Sequence, residues 1–116
     1  MRLLICGGRD FDDRAWAFAK LDRFASANPV TLVVHGAARG ADTIGEEWAV
    51  ARGIDFLRFP ADWSRLHNAA GPTRNAQMLR EGKPDHVFAL PGGRGTMNMV
   101  MQSKEAGVPV TFAKAL

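Results

Sequence analysis

Apolar residues along this chain follow two alternating rhythms. Short apolar runs of strand length recur at Leu3–Cys6, Val30–Val34, Ile54–Phe59, His86–Leu90 and Val108–Phe112. Several are continuous rather than alternating, as strands covered on both faces require. Between them the apolar positions step by three and four. Ala15, Phe18, Leu21 and Phe24 fall on one helical face, with Asp12 as the expected N-cap. Ala41, Ile44, Trp48 and Ala51 form a second such face, and Gly53 is placed to end that helix. A third helix is predicted from Pro72, carrying Met78 and Leu79 and stopping at Gly82. A fourth is predicted with Thr96 as N-cap, running through Met97, Val100, Met101 and Lys104 to the stop at Gly107-Val108-Pro109. Pro60–Ala70, with Trp63, His67 and Asn68, is the least regular segment and has the length of a flap.

Strand and helix therefore alternate five and four times. This order predicts an α/β fold in three layers, a five-stranded parallel sheet with helices on both faces. No linker interrupts it, so residues 1–116 are expected to form one domain.

Parallel strands put every strand-to-helix loop on one edge, where open α/β sheets bind ligands. The loops read Gly7-Gly8-Arg9-Asp10, His35-Gly36-Ala37-Ala38-Arg39-Gly40-Ala41-Asp42, Gly71-Pro72-Thr73-Arg74-Asn75 and Pro91-Gly92-Gly93-Arg94-Gly95-Thr96. Each is rich in small residues and each carries an arginine. Glycine lets backbone N–H groups approach a phosphate closely, and a helix N-terminus adds open donors and a favourable dipole. Arginine adds a fork that grips two oxygens. Any one such loop is equally well explained by turn chemistry. The set on one edge favours an anionic ligand.

Composition adds little and excludes more. The formal net charge is +3, which suits either a solvated surface or an anionic partner. The single cysteine, Cys6, lies in an apolar run and reads as a buried, inert thiol. No apolar stretch has the length of a membrane span, and the first residues read as a strand rather than a leader, so a cytoplasmic location is expected. His35, His67 and His86 lack metal-ligand spacing, so no metal is expected. PGGRGT lacks the lysine of the P-loop, Gly7-Gly8-Arg9 is not the dinucleotide G-x-G-x-x-G, and no serine sits in a nucleophile elbow.

Gly7-Gly8-Arg9 after a first strand, HGAARGAD at 35–42, AGPTRN at 70–75 and PGGRGT at 91–96 together resemble the SLOG superfamily. This Rossmann-like group includes the Lonely Guy hydrolases and the Smf/DprA DNA-processing proteins. The closest resemblance is to its small YspA-like, YpsA-related branch, over nearly the whole chain. It implies a nucleotide or nucleotide-derived phosphate ligand. The expected contacts are Gly7, Gly8, Arg9, Asp10, Gly36, Ala38, Arg39, Gly40, Asp42, Arg74, Asn75, Gly92, Gly93, Gly95 and Thr96, with Trp63 against a base or sugar. Arg9, Arg39 and Arg74 are expected to neutralise the phosphate, and Arg94 to point away.

The hydrolase branch splits nucleoside 5′-monophosphates and carries PGGxGTxxE. Here the glutamate position is Met99, which cannot ionise, and the expectation leans toward binding or sensing without hydrolysis. Arg74 matches the hydrolases' upstream arginine. Asp10, Asp42, Glu46 and Glu47 are the substitutes for the acid, and Asp42 at the start of the second helix is the best placed. Single-stranded DNA binding, as in the DNA-processing branch, is the third reading; the chain has no tyrosine, and Trp63 is its one stacking candidate. No further cofactor is expected. Relatives dimerise through helices, and the fourth helix carries Met97, Met99 and Met101 on more than one face, so a homodimer is expected.

Overall fold

The computed structural model describes residues 1–113. Five strands, β1 (Arg2–Cys6), β2 (Leu32–His35), β3 (Asp55–Arg58), β4 (His86–Ala89) and β5 (Val110–Phe112), form one sheet in the order β3-β2-β1-β4-β5. All neighbours pair in parallel, with Leu3 opposite Val33 on one side and His86 on the other. The strand order reverses between β1 and β4, which opens a crevice at the C-terminal ends of these two strands. This is the Rossmann-like arrangement that alternation predicted.

Period-two alternation along β1 feeds two separate cores. Leu3 and Ile5 point into one, with Leu21 of α1 (Arg14–Ala27) and Ile44 and Trp48 of α2 (Ala41–Ala51). Leu4 and Cys6 point into the other, with Met78, Met99 and Val100. Helices thus cover both faces. Trp48 is fully packed, as its helical spacing predicts, and its indole N–H is satisfied by Asp22 Oδ1 at 2.9 Å. No helix among the described residues is long and apolar enough to cross a membrane.

Three local expectations are corrected. The N-cap of α1 is Asp13, whose carboxylate accepts from the Trp16 N–H, rather than Asp12. The segment 60–70 is largely helical: Asp62 caps a short α3 (Trp63–Leu66), a 3₁₀ turn follows over His67–Ala69, and α4 (Ala70–Gln77) continues into a π-helical turn at Met78–Gly82. Pro72 therefore sits inside the first turn of α4, where its missing N–H has no intrahelical partner to lose. The last helix, α5 (Arg94–Glu105), begins two residues before Thr96, with Gly93 at its N-cap. Thr96 is buried in its first turn.

Candidate functional site

The strand-to-helix loops converge at the reversal point and lock together by backbone contacts. Gly8 N–H donates to the Pro91 carbonyl at 2.8 Å, and Ala41 N–H donates to the Gly8 carbonyl at 3.0 Å. This interlocking explains most of the glycines without a ligand. A Cβ on Gly7 would stand 2.5 Å from the Ala41 Cβ and 2.8 Å from the Leu90 Cβ. One on Gly8 would press on Gly92, one on Gly92 would strike the Thr96 hydroxyl, and one on Gly36 would strike the Arg74 guanidinium.

Gly93 and Gly95 differ. A Cβ at either position meets nothing within 4 Å, and both line a cavity of about 570 Å³. Here the space beside the backbone is left open. The first turn of α5 has no side-chain cap, so its N–H groups remain available at this wall.

The same cavity is lined by Gly7, Gly8, Arg9, Ala38, Asp42, Trp63, Arg74, Asn75 and Thr96. Three expected residues, Gly36, Gly40 and Gly92, are not part of that lining, and each is tight against neighbouring atoms. Two others face elsewhere. Asp10 and Arg39 pair with each other at 3.2 Å in solvent, and Arg39 borders a smaller adjoining pocket. Arg94, expected to turn away, belongs to the cavity wall.

Arg74 is held from two sides. Its Nη1 donates to the Gly36 carbonyl at 2.5 Å and its Nε to Asn75 Oδ1 at 3.0 Å. Burial lowers its pKa, with the Asp42 carboxylate opposing that shift. Asn75 in turn donates to the Gly95 carbonyl and to Asn98 Oδ1, which ties α4 to the start of α5. Asn98 also accepts from Gln102 at 2.7 Å and lines the cavity. Sequence reasoning missed this network. Its signal was the amide pair Asn98 and Gln102, four residues apart on one helical face.

Among the described residues Asp42 is the only carboxylate on the wall, which also carries three arginines, so the lining is positive overall. Desolvation raises its pKa, while N–H donation from Ala38 at 3.2 Å and the nearby Arg74 charge oppose the rise. The other substitute acids are committed elsewhere. Glu47 pairs with Arg14. Glu46 is gripped by both guanidinium arms of Arg58, which lowers its pKa, and also meets His35 Nε2. Because His35 Nδ1 accepts from the Ala37 N–H, the imidazole proton lies on Nε2 and is donated to Glu46. Met99, at the position of the hydrolases' acid, is buried in the apolar cluster below the cavity. Cys6 shares that floor, and burial pushes its thiol up to about 12, which keeps it protonated and unreactive.

At the mouth stands Trp63, 44% exposed. The Arg9 guanidinium lies over its ring, 4.6 Å from the centroid.

Among solved structures, glycinamide ribonucleotide transformylase 1 from Symbiobacterium toebii aligns over 81% of this chain at 19% identity with a TM-score of 0.48. This chain spans only 42% of that protein's length. The Gene 61 protein of Mycobacterium phage D29 is 39% identical over 117 residues, covering 94% of this chain and 93% of the phage protein. The model of the YspA, cpYpsA-related SLOG family (YAcAr) matches residues 1–66. That match spans more than half of the residues, and the chain belongs to the YspA, cpYpsA-related SLOG family.

Proposed function

We propose that this protein binds a phosphorylated nucleoside, with its phosphate against the first turn of α5 and its remainder in the cavity below Trp63. The observation that carries this reading is the open space at Gly93 and Gly95. The other glycines expected at the site, Gly7, Gly8, Gly36, Gly40 and Gly92, are hemmed in by neighbouring atoms, whereas these two line the cavity with open space beside uncapped N–H groups. Arg9, Arg74 and Arg94 supply compensating positive charge. A volume of about 570 Å³ falls in the usual range for small-molecule pockets. The wall favours a small ligand over a nucleic acid strand, since among the described residues Trp63 is its sole aromatic and a strand needs successive stacking platforms.

Titration calorimetry with AMP tests the reading. Wild type is expected to bind, and Gly95→Val, which fills the open wall, is expected to lose at least tenfold in affinity with its thermal stability unreduced. Equal affinities for the two proteins would refute the phosphate placement.

Asp42 favours a second reading, glycosidic hydrolysis, because it is a desolvated acid inside the cavity. The same AMP incubations distinguish it. Binding alone predicts no free adenine above a protein-free control. Adenine released by wild type and not by Asp42→Asn would establish hydrolysis instead.

We further propose that the protein is a homodimer through α5. Met97 and Met101 are 48% and 58% exposed and lie one turn apart, a pair of large apolar side chains facing outward. Light scattering is expected to give twice the chain mass, and Met101→Glu to give the monomer. A wild-type monomer at high concentration contradicts this.

A further inference from the structure

The cavity does not end at Trp63. Beyond the indole lies a smaller pocket of about 140 Å³, lined by Arg9, Ala38, Arg39 and Trp63. Arg9, Ala38 and Trp63 border both spaces, so the two are neighbours across one aromatic wall. We propose that this pocket is a second anion subsite, and that the ligand is a nucleotide bearing a second phosphate group that reaches Arg39. The inference rests on the nucleotide reading of the main cavity and extends it to a class of ligand.

Charge and constraint support it. Among the described residues, two of the four that line the small pocket are arginines and none is a carboxylate. Arg9 is already oriented by its stacking on Trp63, which leaves its N–H edges free to turn toward either space. Arg39 has a single partner, Asp10, at 3.2 Å; their side chains are 75% and 95% exposed. An ion pair that exposed holds Arg39 weakly, so an arriving phosphate displaces Asp10 at little cost. A phosphate offers Arg39 a bidentate partner, which the single contact with Asp10 does not. Trp63 then forms the apolar surface between the two anionic positions, where the body of a nucleoside fits.

The experiment compares AMP, ADP and adenosine 3′,5′-bisphosphate by calorimetry on wild type and on Arg39→Ala. At least one two-phosphate probe is expected to bind wild type about tenfold more tightly than AMP. In Arg39→Ala the ratio of those affinities is expected to fall to about one, with circular dichroism and melting unchanged. AMP binding with no gain for either two-phosphate probe overturns the second subsite and leaves the main reading standing. A gain that survives in Arg39→Ala overturns the assignment to Arg39. Failure of all three probes to bind wild type overturns both readings together.

Discussion

Gly40→Ala is expected to lose about 2–5 kcal/mol of stability, with a fall in melting temperature of about 10–20 °C. Two effects combine at this residue. Its φ is +77°, a conformation that a side chain resists. Its Cβ would also collide with the carbonyls of Gly8 and Arg9, where the first two loops meet. Gly107→Ala separates the two effects. Gly107 has nearly the same φ, +76°, but no atom lies within 4 Å of the added methyl. It should therefore show the conformational cost alone, about 1 kcal/mol. Thermal melts of the two variants side by side check this. Equal losses would mean that the loop junction yields and that the interlocking is soft.

Arg74→Ala is expected to cut nucleotide affinity by about 10- to 150-fold, the equivalent of losing a hydrogen-bonded charge worth about 1.5–3 kcal/mol. Arg74→Lys should recover little. The Gly36 carbonyl and Asn75 hold the guanidinium by two different nitrogens, and an ammonium cannot reproduce that two-point support. The Coulomb attraction to Asp42 disappears in the alanine variant as well, so the cavity becomes less positive while its acid remains. Calorimetry with AMP reads the loss directly. Wild-type affinity in Arg74→Ala would show that the arginine serves only to brace the β2–α2 loop.

Most of the fold was legible because apolar runs and glycine stops are local signals. All five strands and the helices Ala41–Ala51 and Arg14–Ala27 lie where periodicity puts them. The irregular piece failed for a physical reason. Trp63–Leu66 is a four-residue helix held by the Asp62 cap, and His67 breaks it with a φ of +52°, so no run of apolar spacing announces it. Thr96 misled because Ser and Thr favour N-caps, yet here tertiary packing puts a glycine there and buries the threonine one turn in.

The cavity wall was legible in its residue types but not in its division of roles. Motifs marked Gly36, Gly40 and Gly92 alongside Gly93 and Gly95, and only contact distances separate packing glycines from open ones. Arg39 and Arg74 also look alike in sequence. One is 75% exposed beside Asp10, and the other is fixed under the loops by Gly36 and Asn75. Among the acids, Asp42 reaches the cavity because it opens α2, whereas Glu46 one turn on is already captured by Arg58 and His35.

The interlocked loops also determine where this site can change. Gly7, Gly8, Gly36, Gly40 and Gly92 are keyed to neighbouring backbone or side chains, so their replacement alters the frame before it alters recognition. Gly93 and Gly95 lie against free space, and Trp63 is half open to solvent. On the proposed nucleotide reading, drift in ligand preference therefore has a short list of low-cost routes, all on the α5 and Trp63 sides of the crevice. A redesign that seeks a new ligand should vary those walls and leave the glycine lattice behind them untouched.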